Sequence, residues 1–263
     1  MPTATRFAER TLDALLIEDE ESFEHVRLYG DLKQLLVQSA YRFRVLPPST
    51  EGRWDRAQLL NLTFWGAATG GDVLVDDHVD ADVVAHVAWH QLAVRALPTP
   101  PGARPSSDSL FFGEAIASAF DVYLVGRLLG HSPSSSFLES QVSAMAGAWE
   151  AAGAPMKQFE LLLESMAKDP ERAFEDLREL LFDATSAIHA CTDADQALAI
   201  LTGFDDHRFA ALLHHYELSN WVLYARAYGD GAPDLRVRAL DSLLRGENGG
   251  LDYLEAAWIG SRP

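Results

Sequence analysis

The stretch VVAHVAWHQLA, residues 84–94, predicts the helix on which the fold and the candidate site both depend. Asp80 or Asp82 can cap the start of this helix, which is expected to end where the loop PTPPGARPSSD begins. His86 and His90 are four residues apart, so their side chains are neighbours on one helix face. Two imidazoles in this arrangement can bind one metal ion, and a zinc site of the catalytic type then needs a third protein ligand.

A candidate for the third ligand lies on the next predicted helix, SLFFGEAIASAFDVYLVGRLLG, which covers about 109–130. Glu114 stands 24 residues after His90 and is surrounded in sequence by Phe111, Phe112 and Ile116. A carboxylate on such an apolar face is costly unless it has a partner. A metal ion would satisfy it, and so would an arginine or a hydroxyl group.

Together the two stretches resemble the gluzincin metallopeptidases, in which HExxH is followed by W-L-x-E-G-x-A on a downstream helix. The resemblance covers roughly residues 70–127, and GGDVLVDDHV stands where the family has a short strand before its active-site helix. It implies an α+β fold and a zinc site whose ligands are His86, His90 and Glu114. The implied partner is a peptide or a protein.

The departures from the family motif concern the catalytic group and its support. Val87 stands where the family has the glutamate that acts as general base. Ala115 replaces the glycine of the second motif, and Ser118 stands where many members have an aspartate that orients a metal ligand. Asp121, one turn further on, is the nearest substitute for that aspartate. No residue is therefore assigned as catalytic.

Two interpretations of the missing glutamate remain open. In the first, the protein is metallopeptidase-like and binds metal, but its peptidase activity is impaired or absent. In the second, it is a non-enzymatic helical interaction domain, and the two histidines are structural groups bonded to neighbouring polar atoms. Metal content separates the two.

A third interpretation depends on DDHVD, residues 76–80, which matches the DDxxD motif that binds Mg²⁺ and diphosphate in class I terpene synthases. Paired carboxylates suit hard divalent cations, so Asp76, Asp77 and Asp80 could hold magnesium. The second metal motif of those enzymes is absent, and an acidic loop between a strand and a helix explains the same residues.

A late stretch, HRFAALLHHYELSNW, also carries several polar groups at helical spacing. His207, His214 and Glu217 would share roughly one face of a helix. His215 or Tyr216 could approach the metal site, as a late Tyr or His does in the peptidases. Structural or surface histidines are the alternative.

The pattern along the chain predicts an α+β fold that is mainly α-helical, with a small sheet in the first half and a helical C-terminal half. Residues 3–40 are expected to form helices, and YRFRVLPP (41–48) alternates as a strand does. HSPSSS (131–136) separates an α+β part, 1–130, from an all-helical part, 137–263, although one continuous domain fits as well.

The charge composition of the chain argues against one class of partner, nucleic acid. The chain has 39 acidic and 21 basic residues, a formal net charge of −18, and no basic stripe, so a nucleic-acid partner is not expected. No apolar run of membrane-spanning length and no signal peptide are evident, and the cytoplasm is the expected compartment. The single cysteine, Cys191, excludes an internal disulfide.

Overall fold

The computed structural model describes residues 7–53, 71–132, 134–246 and 249–260. The fold is α+β and mainly α-helical, with its strands in the N-terminal half, as predicted. Two compact units are present, Met1–Arg95 and Ala96–Pro263. The stretch AQLLNLTFWGA (57–67), which the sequence leaves open between helix and strand, lies outside the described residues.

The described residues of the first unit form five short strands in two sheets. The strands are β1 (Ala8–Thr11), β2 (Leu16–Glu18), β3 (Arg42–Val45), β4 (Val73–Leu74) and β5 (His78–Asp80). In one sheet β3 is central, antiparallel to β1 and parallel to β4, whereas β2 and β5 form a parallel pair. Phe43 and Val45 of β3 are buried and the intervening Arg44 is exposed, which is the alternation that predicts this strand.

The prediction of helices throughout residues 3–40 is wrong for the described residues up to Glu18. β1 and β2, separated by a short 3₁₀ segment (Leu12–Ala14), occupy that part of the chain, and the α-helices are α1 (Glu20–Phe23) and α2 (Arg27–Gln38). The backbone partners of β1 and β2 lie in β3 and β5, far away in sequence. Local periodicity cannot detect such pairing, because strand pairing depends on residues outside the window.

The predicted helix around residues 84–94 is confirmed as α3 (Ala81–Ala96), which follows β5 directly. Val84, Ala88 and Trp89 are fully buried, and Val87 is 5% exposed. His86 and His90 are half-buried. The helix therefore buries most of its surface and presents the two imidazoles at the edge of that buried face.

The second unit is helical in its described residues. Its helices are α4 (Ser107–Leu128), α5 (Ser136–Ala151), α6 (Met156–Lys168), α7 (Pro170–His189), α8 (Ala194–Thr202), α9 (Leu218–Tyr228), α10 (Leu235–Leu244) and α11 (Gly250–Leu254). α4 is central: it packs most extensively against α7, and also against α5, α6, α9 and α10. A helix covered on all sides is apolar all round, which explains the composition of the predicted helix 109–130.

α4 is also the one helix among the described residues that is long and apolar enough to cross a membrane, contrary to the expectation that no run has this length. Within the apolar window of this helix, 78% of the residues are buried inside the chain. The core helix of a protein with no membrane span passes the same test of length and composition.

α4 approaches its neighbour α6 so closely that only a glycine fits at one position. A Cβ atom on Gly126 would lie 2.5 Å from the carbonyl oxygen of Met166 and 3.1 Å from Cβ of Pro170. Real Cβ atoms essentially never come within 3.0 Å of another heavy atom, so the 2.5 Å approach to the Met166 oxygen is the one that excludes a side chain here. The backbones of the two helices are therefore in direct contact at Gly126.

Asp169-Pro170, Asp193 and Asp205 each predict the start of a helix, because an aspartate is a favoured capping residue; the first two starts are confirmed and the third is wrong. Asp169 and Asp193 cap α7 and α8 by accepting hydrogen bonds from the backbone N–H groups of Arg172 and Gln196. No α-helix follows Asp205, however: turns and a short 3₁₀ segment (Ala210–Leu212) precede α9. The stretch HSPSSS lies between α4 and α5.

Candidate metal centre

The imidazoles of His86 and His90 face each other from successive turns of α3. Their Nε2 atoms are 3.1 Å apart, and their ring planes are inclined by 56°. This follows from the helix itself, since residues four apart stand one above the other on the same face. Both rings thus direct the same nitrogen towards one point.

The predicted third ligand has a ligand atom within reach of the same point. One ligand atom from each of His86, His90 and Glu114 can be chosen so that all three lie within 4.8 Å of one another. Glu114 is on α4 and is only 8% exposed, and Ser118, one turn later, donates a hydrogen bond of 3.5 Å to its Oε1 atom. Among the described residues, this is the one group of three or more His, Cys, Asp and Glu side chains that could hold a metal ion.

The donor set fits a zinc ion of the catalytic type in kind and in spacing. Two imidazoles and one carboxylate form a three-ligand set that zinc enzymes use, with a fourth position open. For Zn–N bonds of 2.0–2.1 Å and tetrahedral angles, the two nitrogens are expected to be about 3.3 Å apart. The observed 3.1 Å is close to this value. The same separation also suits a hydrogen bond in which one neutral ring donates its Nε2–H to the other.

Val87, which stands in place of the glutamate of HExxH, belongs to the buried part of α3. Its exposure is 5%, compared with 38% for Val94 on the same helix. A valine offers no proton acceptor at any geometry. The site as built therefore has no general base at this position.

Replacing Val87 with glutamate is expected to destabilise the protein by about 2–4 kcal/mol, since it buries a carboxylate in an apolar environment. Val94→Glu on the same helix introduces the same group at an exposed position and is expected to change stability by less than about 0.5 kcal/mol. The measurement is urea unfolding of both variants. Equal stability of the two variants would show that the side chain at 87 opens into the polar metal centre and not into the core.

A buried carboxylate of the first unit, which the sequence analysis did not identify, belongs to the surroundings of the histidine pair. Asp72 directly precedes β4, is 8% exposed, and accepts a hydrogen bond from the hydroxyl of Tyr41. Burial raises the pKa of Asp72, whereas the hydrogen bond from Tyr41 and the charges of His90 and His86 lower it. An aspartate just before a short strand gives no signal for this role in the sequence, because Tyr41 lies 31 residues earlier.

Asp121, the predicted positioning residue, has neighbours in the stretch that precedes α9. Burial raises the pKa of Tyr216, and the negative charge of Asp121 adds to this effect. Burial lowers the pKa of the His215 imidazole, whereas Asp121 raises it. Asp121 thus lies near both groups, and its role in orienting a metal ligand stays a prediction.

The sequence predicts that His207, His214 and Glu217 share one face of a helix, and this prediction is wrong because no α-helix forms there. His214 is exposed, and the Nδ1 atom of His207 accepts a hydrogen bond of 3.2 Å from the backbone N–H of Phe209. Glu217 has a φ of 47°, in the left-handed region, immediately before α9 begins. His207, His214 and Glu217 therefore do not lie together on one helix.

The DDHVD stretch does not form a cluster of carboxylates. Asp77 makes a 2.9 Å ion pair with Arg10, and the Oδ1 atom of Asp76 contacts the ring of His78. Asp80 ends β5, beside Glu18 of β2. These neighbours fit an acidic connection before α3 better than they fit a magnesium-diphosphate site. Among the described residues, the group that could hold a metal ion is the histidine pair with Glu114.

No model of a known protein family matches this chain, and neither the curated proteins nor the solved structures compared with it include a match. The resemblance to gluzincin metallopeptidases therefore depends on the two sequence motifs. Function has to be inferred from the side chains of the candidate centre themselves.

Proposed function

We propose that this protein is a zinc-binding, metallopeptidase-like protein in which ordinary peptide hydrolysis is impaired. His86, His90 and Glu114 would hold the ion. The observation that carries the proposal is the 3.1 Å separation of the two Nε2 atoms, together with a Glu114 ligand atom within 4.8 Å of both imidazoles. This donor set and spacing suit zinc.

The chemistry open to such a site follows from the groups that surround it. A bound zinc ion would supply Lewis acidity, which polarises a carbonyl group. The chain itself would contribute two neutral imidazoles and a carboxylate as ligands, and Val87 leaves it without a proton acceptor beside His86. Binding of a peptide or protein carbonyl is therefore better supported than its rapid hydrolysis.

The second candidate function, a helical interaction domain with structural histidines, is favoured by one observation. The contact between the two imidazoles is also a satisfactory hydrogen bond, so no ion is required to explain it. Elemental analysis of the purified protein separates the candidates. One tightly held zinc per chain supports the first, and its absence after incubation with zinc supports the second.

Zinc is expected to stabilise the wild-type protein, and His90→Ala is expected to abolish this effect. A ligand that binds only the native state stabilises it by about 4 kcal/mol at a free concentration 1,000 times Kd. The measurement is the melting temperature with zinc and with a chelator. His214→Ala, at an exposed histidine, is the control and should keep the zinc response. Identical wild-type melting curves in zinc and in chelator would contradict the proposed function.

A further inference from the structure

The buried carboxylate of Asp72 has a place in the fold that the proposed function alone does not explain. Its backbone oxygen accepts a 2.8 Å hydrogen bond from the N–H of Arg44, and its side chain binds the hydroxyl of Tyr41. Only 8% of the residue is exposed. A buried carboxylate is unfavourable in the absence of compensating charge, and one hydroxyl group provides only part of that compensation.

The segment that holds Asp72 also contacts the helix that carries the histidines. Ser39, at the end of α2, donates a 3.0 Å hydrogen bond to the side-chain oxygen of Gln91, the residue next to His90. Tyr41, two residues later, donates to Asp72. The three residues 39–41 therefore link the carboxylate to the polar face of α3, inside the first unit.

Charge coupling agrees with this placement. Burial raises the pKa of Asp72 overall, and the charges of His90 and His86 offset part of this rise, His90 more than His86. Charge interactions weaken with distance and with intervening solvent, so this coupling accords with the hydrogen-bonded link through residues 39–41. A cation held by the two rings would act on Asp72 in the same direction.

We propose that Asp72, held by Tyr41, is a second carboxylate of the site at His86 and His90 and supplies negative charge to the divalent cation bound there. This inference rests on the proposed function. Two neutral imidazoles and one carboxylate leave a divalent ion with a net charge of +1. A second, buried carboxylate offsets that charge in an environment where electrostatic interactions are stronger than in water. Asp72 acts on the ion through space by its charge and is not itself a ligand.

The first test compares Asp72→Asn with Asp76→Asn by titration with zinc. Asparagine keeps an oxygen that can accept the hydrogen bond from Tyr41, so the fold is retained while the charge is removed. Groups outside the ligand set typically change metal affinity by about 10–100-fold. We expect this loss in Asp72→Asn. Asp76→Asn removes the same charge at an exposed position four residues away and is expected to bind zinc within about twofold of wild type.

The second test uses a matched pair of tyrosines. Tyr41 and Tyr29 are buried to the same degree, and each donates its hydroxyl to a carboxylate, Tyr29 to Glu20 at 3.2 Å. Tyr41→Phe is expected to weaken zinc binding at least threefold, because Asp72 is no longer held in place. Tyr29→Phe is expected to leave affinity unchanged. If Asp72→Asn does not fold, this pair decides in its place.

A spectroscopic readout separates a role at the ion from a purely structural one. With cobalt in place of zinc, the visible absorption of the bound ion should shift in Asp72→Asn and stay as in wild type in Asp76→Asn. Unchanged affinity and an unchanged spectrum in folded Asp72→Asn would overturn this inference, while loss of binding in His90→Ala would still uphold the proposed function. Failure of the wild type itself to bind zinc would overturn both.

Discussion

The zinc-loaded wild-type protein is expected to show no chelator-sensitive cleavage of a broad peptide library. Hydrolysis at a zinc centre requires a base that takes the proton of the attacking water, in addition to a polarised carbonyl. General acid–base catalysis contributes about 10²–10⁴-fold to the rate. Val87 supplies no proton acceptor where gluzincin metallopeptidases have their glutamate, so the rate should be lower than that of such a peptidase by a factor of this size even at full zinc occupancy.

The control for this assay is His86→Ala, which removes a proposed ligand. Any slow cleavage that is the same in wild type and in His86→Ala comes from a contaminant and not from this site. Rapid cleavage that is lost both with chelator and in His86→Ala would show that another group takes the proton, and the interpretation of Val87 as disabling would then be wrong.

Asp241→Ala is expected to lower the free energy of unfolding by about 3–5 kcal/mol, as for other buried ion pairs from which one partner is removed. Arg178 on α7 is fully buried, and its Nη1 atom donates a 2.7 Å hydrogen bond to Asp241 on α10. Without the Asp241 carboxylate, the buried guanidinium keeps the longer 3.7 Å ion pair with Glu179 and the ring of Phe112, whose centre is 5.7 Å away. Chemical denaturation of the purified variant measures the loss.

Asp183→Ala is the matched control for this prediction. Asp183 and Asp241 both bind Arg245, at 2.7 Å and 2.8 Å, but the side chain of Asp183 is 44% exposed. Removal of an exposed partner is expected to cost at most about 1 kcal/mol. Similar losses in the two variants would indicate that the buried charge of Arg178 is not what makes Asp241 important.

The two helices of the candidate centre could be predicted from the sequence because their signals are local. α3 and α4 begin and end within about two residues of the expected bounds, where an acidic stretch, a proline-rich loop and Ser106 interrupt the pattern. The pair His86 and His90 followed from helix spacing. Selection of Glu114 depended on the second motif, since an apolar helix does not indicate which way its single carboxylate points.

The parts that the sequence did not predict depend on contacts between distant residues. The segments that form β1 and β2 are predicted from sequence as helices, because their strand partners lie about 35 and 60 residues away and leave no local pattern. Residues 205–217 carry helix-like spacing, but Glu217 takes a left-handed conformation that ends any continuous helix there. Asp72 was missed for the same reason: its importance comes from Tyr41 and the histidines, none of which is near it in sequence.

The contact of Gly126 with Met166 fixes the position of α4 along its own axis. A helix that meets its neighbour only through side chains can slide slightly as those side chains change rotamer, whereas a backbone resting on a backbone cannot. Glu114 lies 12 residues before Gly126, about 18 Å along the same rigid rod. The position of the Glu114 carboxylate along the axis of α4 is therefore set far from the ion that it would bind. A methyl group added at residue 126 would displace this carboxylate without touching any ligand.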